Sequence, residues 1–299
     1  MSGQEADTPR EPVTCVGCGA IACVPFGPKQ GHLYLRCSRC ATLQLDPIPD
    51  AAAMQAAYAG DYAASGHCQA APEERNRAAQ PQFQGILDAL HAHLDGPSEA
   101  WRVLDYGPGW GGLLEALRAE GVTAEGAELS EAMIAHCRAK GFLVHACDLS
   151  ALEGEARYDA ILMSSVFEHL IDHVAWLLAA HRLLKPGGLV VSLQPTAHFA
   201  TLLATLTRMG SRRRELPTLH QVFWPPWHTV LFSRKGMTAL VERHGFALEG
   251  IYPAPIQREG GVTGLLQRIL ATVNRLAHPV FGNAWPLWVG HVFVYRKQG

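Results

Sequence analysis

The sequence predicts an α/β protein, with a mostly parallel sheet flanked by helices on both faces and a small cysteine module in front of it. Three observations predict this. From residue 101 onward, apolar strand-like runs alternate with amphipathic helical stretches. The first of those runs leads into a dense glycine cluster, "VLDYGPGWGG", at 103–112. Four cysteines, at 15, 18, 37 and 40, stand in two CxxC pairs near the start.

The bulk properties narrow the function classes. The chain has 299 residues, 48% of them hydrophobic and 17% charged, which is the balance of a globular protein. A net charge of −2 and a pI of 6.7 leave no basic excess to neutralise phosphates, so a nucleic-acid partner is not expected. The opening "MSGQEADTPREP" is polar and proline-bearing, unlike a signal or transit peptide. No apolar run approaches the ~18–20 residues that span a bilayer. A cytoplasmic location is therefore expected, with homo-oligomerisation left open.

Taken in order, residues 1–12 read as a disordered tail, and 13–47 as the cysteine module, closed by the proline-marked "DPIPD". Residues 48–100 read as a helical connector, in which Phe83, Ile86, Leu87, Leu90 and Leu94 form one apolar stripe. The α/β part runs over 101–299. Its strands are "RVLDYG", "TAEGAEL", "FLVHA", "YDAILMSSV" and "LVVSLQP", with helices between them. Ser130 is expected to cap one helix and Gly141 to stop it. A helix near 172–184 ends at "KPGG". After Pro195 the pattern loosens into an insertion at 196–232. A helix capped by Ser233 and two last strands, "FALEGIYPA" and "GHVFVYRK", follow. The amphipathic helix between those strands, around 263–277, is expected to pack on the sheet rather than lie on a membrane surface.

Ligands of an open parallel sheet sit at the carboxyl ends of its strands, where the strand order reverses. A strand ending in Gly107, Gly109 and Gly111 lets backbone approach a ligand there, and the next helix N-terminus attracts an anionic group. About 20 residues on, Glu128 in "AELS" is positioned to reach a ribose hydroxyl. Asp148 in "CDLS" could accept a hydrogen bond from an exocyclic amine. Gly107, Gly109 and Gly112 also satisfy the GxGxxG of dinucleotide sites, so the loop by itself does not choose between cofactors.

The set "VLDYGPGWGG", "AELS", "CDLS", "YDAILMSSVFEHL" and "LLKPGGLVV", in that order and spacing, resembles the motifs of class I S-adenosylmethionine-dependent methyltransferases. The resemblance covers roughly residues 80–250. It implies a Rossmann-like sheet of seven strands with the last antiparallel. It also implies Asp105, Gly107 and Gly109 at the methionine end of the cofactor, Glu128 at the ribose, and Asp148 with Leu149 at the adenine. Gly111, Leu129 and Ser164 complete the implied cofactor contacts. Tyr106, Pro108 and Trp110 depart from the usual residues, while the glycine positions are intact.

Cys15-x2-Cys18 and, eighteen residues on, Cys37-x2-Cys40 have the spacing of four-cysteine zinc sites. A closed thiolate shell leaves no position for catalytic water, so such a zinc is structural. Redox dithiols are the weaker reading, because neither CxxC lies in a βαβ context. Cys23, Cys68, Cys137 and Cys147 read as free thiols. A zinc ribbon joined to a class I methyltransferase, with "YAGDYAASG" between them, resembles a subgroup of bacterial sugar and secondary-metabolite methyltransferases. That likeness makes Tyr58 and Tyr62 candidates for the methionine carboxylate or a lid, against simple packing between domains.

Methyl transfer to a hydroxyl or acidic carbon needs an aligned acceptor and a base, for which histidine is suited near neutral pH. Three histidines are candidates: His169 in "FEHL", His198 in "QPTAHF" and His228 in "PPWHTVLF". His169 ranks first, because it follows the fourth strand beside the implied methyl position. "FWPPW" at 223–227 could wall an acceptor pocket, and Arg212, Arg213 and Arg214 read as a solvated run. The expectation is methyl transfer from S-adenosylmethionine to a small-molecule acceptor. The resemblance to bacterial sugar and secondary-metabolite methyltransferases implies a sugar, nucleotide-sugar or natural-product intermediate, with oxygen ahead of carbon as the expected acceptor atom. Its rivals are a cofactor-binding protein without catalysis and a nucleotide-cofactor oxidoreductase.

Overall fold

The computed structural model describes residues 12–57, 71–209 and 223–299. Tyr58, Tyr62, Cys68, Arg212, Arg213 and Arg214 lie outside them, as does nearly all of the expected tail. The chain begins with an antiparallel sheet of β1 (Cys23–Lys29), β2 (His32–Cys37) and β3 (Leu43–Asp46). Helices α1 (Ala51–Ala57) and α2 (Pro72–His93) follow.

The main sheet then forms from β4 (Arg102–Tyr106), β5 (Thr123–Ala127), β6 (Leu143–His145), β7 (Tyr158–Ser164), β8 (Leu184–Pro195), β10 (Phe246–Pro253) and β11 (Gly290–Lys297). Its order is β10-β11-β8-β7-β4-β5-β6, and β11 alone runs antiparallel to its neighbours. Between these strands come α3 (Gly112–Ala119), α4 (Glu131–Ala139), α5 (His173–Leu183), α6 (Ala197–Met209), α7 (Arg234–Glu242) and α8 (Gly261–Phe281). The seven-stranded sheet with one antiparallel strand is the architecture the motifs implied.

Alternation along the strands builds a core on each face. Leu104, Ile161 and Met163 point to one side, with Trp176, Leu177 and Leu183 of α5. Val103, Ala160 and Leu162 point to the other, with Ile86, Leu87 and Leu90 of α2. The expected stripe of α2 is thus its buried face, and each fully buried leucine or isoleucine there contributes about 1.5–3 kcal/mol.

Three local readings change. Strand β8 starts at Leu184, before "KPGG" rather than after it, because Leu184 already pairs with Tyr158 across an irregularity in register. Ser130 is the cap residue of α4 but makes no side-chain cap hydrogen bond. The Glu128 carboxylate instead accepts from the Leu129 and Ser130 N–H groups, at 2.8 and 3.0 Å. Helix α8 does not pack its apolar face on the sheet. Its buried residues are Gly264 and Asn274, while Leu265, Ile269 and Leu276 are more than half exposed. The inward side carries Asn274 and Gln267. Asn274 bonds the Leu287 carbonyl and the Trp285 indole, and Gln267 accepts from the Glu259 N–H.

Strand β9 (Val230–Leu231) is the element that links the two sheets. It adds to β3 as the fourth strand of the small sheet, with Leu43 opposite Leu231 and Gln44 opposite Val230. The residues just before β9 also bind the turn after β7, which brings the small sheet against the carboxyl edge of the large one.

Candidate functional site

The chain leaves β4 for β5 on one side and returns to β7 on the other, so the crevice between β4 and β7 is where the order reverses. Gly107 begins the loop there. Its φ is 74°, and a Cβ at that position would lie 2.7 Å from a Val166 methyl. Gly111 has φ 78°, with Cys137 Sγ 3.0 Å from where a Cβ would stand. Both positions therefore require glycine by conformation and by space. Helix α2 closes the outer side of the loop, with Asn76 Nδ2 donating to the Trp110 carbonyl at 3.1 Å.

Two carboxylates face this loop. Glu128 accepts from the Gly109 N–H at 3.2 Å. Asp105 is buried, and its Oδ2 has no hydrogen-bond partner among the described residues. Burial, and then the nearby Glu128 charge, push the Asp105 carboxyl up to about 8. A buried carboxyl oxygen without a donor is costly unless a ligand cation meets it. The loop, Asp105 and Glu128 thus fit a nucleoside bearing an ammonium group.

Asp148 has a more local task in this structure. It accepts from Tyr106 Oη at 2.6 Å and from the Ser150 N–H and hydroxyl at 2.9 and 2.7 Å, capping the turn that buries Leu149. Burial opposes its ionisation, and these hydrogen bonds outweigh it, so the carboxyl sits below its ordinary range. Leu129 is exposed beside the loop, and Ser164 is half-buried at the end of β7.

Past β7, a 3-10 turn at Phe167–His169 sets a second cluster. One ligand-type atom from each of Glu168, His169 and His228 lies within 4.8 Å of the others. The His169 and His228 rings are 4.9 Å apart, and Trp224 stands 5.9 Å from His228 and 6.5 Å from His169. Glu168 is buried, with neither carboxyl oxygen paired among the described residues, and burial pushes it up to about 8. A carboxyl group and two imidazoles so placed can accept a proton or hold a divalent cation. His198 stands outside this cluster, exposed at the start of α6. Burial and then Arg234 push its pKa down.

The small sheet holds His228 in place. Tyr34 Oη donates to the His228 carbonyl at 2.8 Å, and the Leu45 N–H donates to the Thr229 carbonyl at 2.9 Å. Thr229 in turn donates from its N–H to the Glu168 carbonyl at 2.9 Å and from its hydroxyl to the Leu170 carbonyl at 2.6 Å. The sequence placed Glu168 and His169 together but showed neither the unpaired burial of Glu168 nor the part of Tyr34. Both follow from contacts between segments far apart in the chain, which no local pattern announces.

In the cysteine module, Cys15 Sγ lies 3.6 Å from Cys40 Sγ, and Cys18 Sγ 3.6 Å from Cys37 Sγ. All four sulfurs lie within 4.8 Å of one another. A tetrahedral metal with bonds of about 2.3 Å needs sulfurs about 3.8 Å apart, so the four thiols fit one ion. Cys23 packs beside them as a free thiol.

Comparison with known proteins places the family and the fold. The methyltransferase domain family matches residues 62–250. The ubiquinone biosynthesis O-methyltransferase of a Ruegeria species is 31% identical over 168 residues, which cover 52% of this chain and 68% of that protein. The protein of that name from Roseobacter denitrificans is 34% identical over 103 residues, 32% of this chain and 41% of its own length. The chain thus spans about two fifths of the Roseobacter relative. Among solved structures, the 1,6-didemethyltoxoflavin-N1-methyltransferase of Burkholderia thailandensis, with bound 1,6-didemethyltoxoflavin and S-adenosylhomocysteine, superposes with a TM-score of 0.54. It is 17% identical, and the match covers 92% of this chain and 99% of that one. An S-adenosylmethionine-dependent methyltransferase from Mesorhizobium loti has a TM-score of 0.50 at 20% identity, covering 72% of this chain and all of its own. At these identities the two structures report the fold alone.

Proposed function

This chain belongs to the methyltransferase domain family, and from that premise we propose that it transfers a methyl group from S-adenosylmethionine to a hydroxyl of a small ring-bearing acceptor. The observation that carries the reading is Asp105, a buried carboxyl oxygen without a partner beside a glycine loop at the reversal of strand order. Bound there, S-adenosylmethionine supplies a methyl group on cationic sulfur as the electrophile. Asp105 would accept from its ammonium group, and the Glu128 carboxylate would exchange backbone N–H donors for ribose hydroxyls.

His169 is the proposed base, with His228 and Glu168 next to the charge that forms when the imidazole takes the hydroxyl proton. Trp224, half-buried and backed by the buried Trp227 with rings 4.7 Å apart and inclined at 49°, offers aromatic surface beside it for an aromatic or sugar ring. The relatives' names favour oxygen as the acceptor atom. The sugar and natural-product class remains the reading implied by the family resemblance. The unpaired Glu168 supports a second reading, in which Glu168, His169 and His228 hold a divalent cation that polarises the acceptor oxygen. A chelator too weak to strip four thiolates separates the two, since only the second reading loses turnover to it and regains turnover when a divalent cation is returned. For the four cysteines, zinc is the proposed ion, in a structural role.

The test is thermal unfolding of zinc-loaded protein with S-adenosylmethionine, S-adenosylhomocysteine, NAD or no ligand. A ligand at 100 times its Kd stabilises by about 2.7 kcal/mol, a rise of a few degrees. A rise with the first two and not with NAD is expected. No rise with either, in folded protein, would leave a cofactor-free scaffold and refute the reading.

A further inference from the structure

Helix α8 is amphipathic with its apolar stripe facing outward. Val262, Leu265, Ile269, Val273, Leu276 and Val280 recur at three- and four-residue steps along one face, and they are between 39% and 76% exposed. The opposite face, through Gly264 and Asn274, is the one that touches the protein. The stripe runs for most of a 21-residue helix, about 30 Å at 1.5 Å per residue. An exposed apolar surface of that length calls for an occupant.

The charges on the helix say which. Residues 261–281 contain no aspartate or glutamate, and Arg268 and Arg275, both exposed, lie two turns apart along one border of the stripe. Across a two-fold axis, a second copy would bring the arginines of both helices together with no carboxylate from either to receive them. Lipid phosphates would receive them. Phe281, half exposed and 5.1 Å from the Trp285 ring, adds an apolar aromatic group at the C-terminal end of the stripe. No helix among the described residues is long and apolar enough to cross a bilayer, so the contact is with its surface.

We propose that α8 docks this protein on an anionic lipid surface, apolar stripe in the headgroup boundary and Arg268 and Arg275 on phosphates. The placement gives the docking a direction. The helix joins the end of β10 to the start of β11, where Pro253 pairs with His291 and Gly290 with Pro195. These are the carboxyl-edge ends of their strands, the edge that also carries the glycine loop and His169. Docking would turn that edge toward the bilayer, so that the acceptor is taken at the lipid–water boundary. This last consequence rests on the function proposed above, whereas the docking itself does not.

Co-sedimentation of the full-length, zinc-loaded protein with vesicles tests it. One set holds phosphatidylcholine alone and the other phosphatidylcholine with phosphatidylglycerol. Binding is expected to be at least tenfold stronger to the second, and to fall in 0.5 M salt (a concentration of about this order shortens the Debye length below ~5 Å). The double variant Ile269→Asp/Leu276→Asp should lose vesicle binding while keeping its melting temperature and its affinity for S-adenosylmethionine. Arg268→Glu/Arg275→Glu should lose the preference for the anionic vesicles. Absence of binding, or binding that the aspartates leave unchanged, would overturn the proposal. So would a dimer in sedimentation velocity that the aspartates convert to monomer without vesicle binding, since the occupant would then be a second copy. Cofactor affinity is read separately, so a failure of docking and a failure of the methyltransferase reading are told apart.

Discussion

Asp105 and His169 divide the proposed work, one on the cofactor and one on the acceptor. The Asp105 carboxyl is raised to about 8 by burial and by Glu128, so at pH 7 the ligand-free protein holds it mostly protonated. An arriving ammonium group favours the carboxylate, and binding should therefore release close to one proton at pH 7. Calorimetry in buffers of different ionisation enthalpy reads this directly. Asp105→Asn should abolish the release and weaken S-adenosylmethionine at least tenfold, about 1.4 kcal/mol. Glu128→Ala should weaken binding and also reduce the proton release, because the charge that helps hold the Asp105 carboxyl up is gone. His169→Ala should leave cofactor affinity in place and lower kcat by about 10²–10⁴. Normal turnover by that variant would remove His169 as the base.

Strand β9 shows how an element can carry a site without belonging to either half of it. Two residues of strand add to the small sheet, and the residues before them are bonded to the turn that holds Glu168 and His169. Tyr34, fully buried, holds the His228 carbonyl, so it is a positioning residue. Tyr34→Phe leaves that buried carbonyl without its donor, at a cost of about 1–3 kcal/mol. We expect kcat to fall severalfold with the KM for S-adenosylmethionine unchanged, a split that general destabilisation would not give. Zinc removal should act in the same direction and more strongly. The Ser233 hydroxyl donates to the Cys40 carbonyl and also caps α7, so the metal knuckle and the strand before that helix move together.

For the whole molecule, stability in acid depends on an ion-pair network away from the site, centred on one buried carboxylate. Glu125, on β5, accepts from Arg102, His145, Arg157 and Tyr158. Burial by itself would raise its pKa, but the hydrogen bonds from His145, Arg102 and Tyr158 and the Arg102 charge outweigh it and hold the carboxylate below its ordinary range. A depressed folded pKa means stability present above the unfolded pKa and lost as pH falls through the folded one. Melts below about pH 4.5 should therefore show a steep fall that Glu125→Gln lacks. At neutral pH the same variant should cost about 1–3 kcal/mol, because the buried Tyr158 hydroxyl loses a charged acceptor and the partly exposed Arg102 and Arg157 can turn to water.

The alternating strands, the glycine loop, the acids at their ends and the paired cysteines were all legible in the chain itself. Each is a short-range pattern: a two- or four-residue period, a backbone conformation that only glycine adopts freely, or thiols two residues apart. Seven strands with the last antiparallel followed from motif likeness, and the four sulfurs within reach of one ion followed from spacing. Tertiary structure alone brought His228 to His169, because that meeting is made by β9 pairing with β3 and by hydrogen bonds between residues about 60 and 190 positions apart. It also decided the fate of α8, whose period is the same whichever way the helix faces. The sequence of α8 determined an apolar stripe. The tertiary structure points that stripe outward and turns Asn274 inward, bonded to the Leu287 carbonyl and the Trp285 indole.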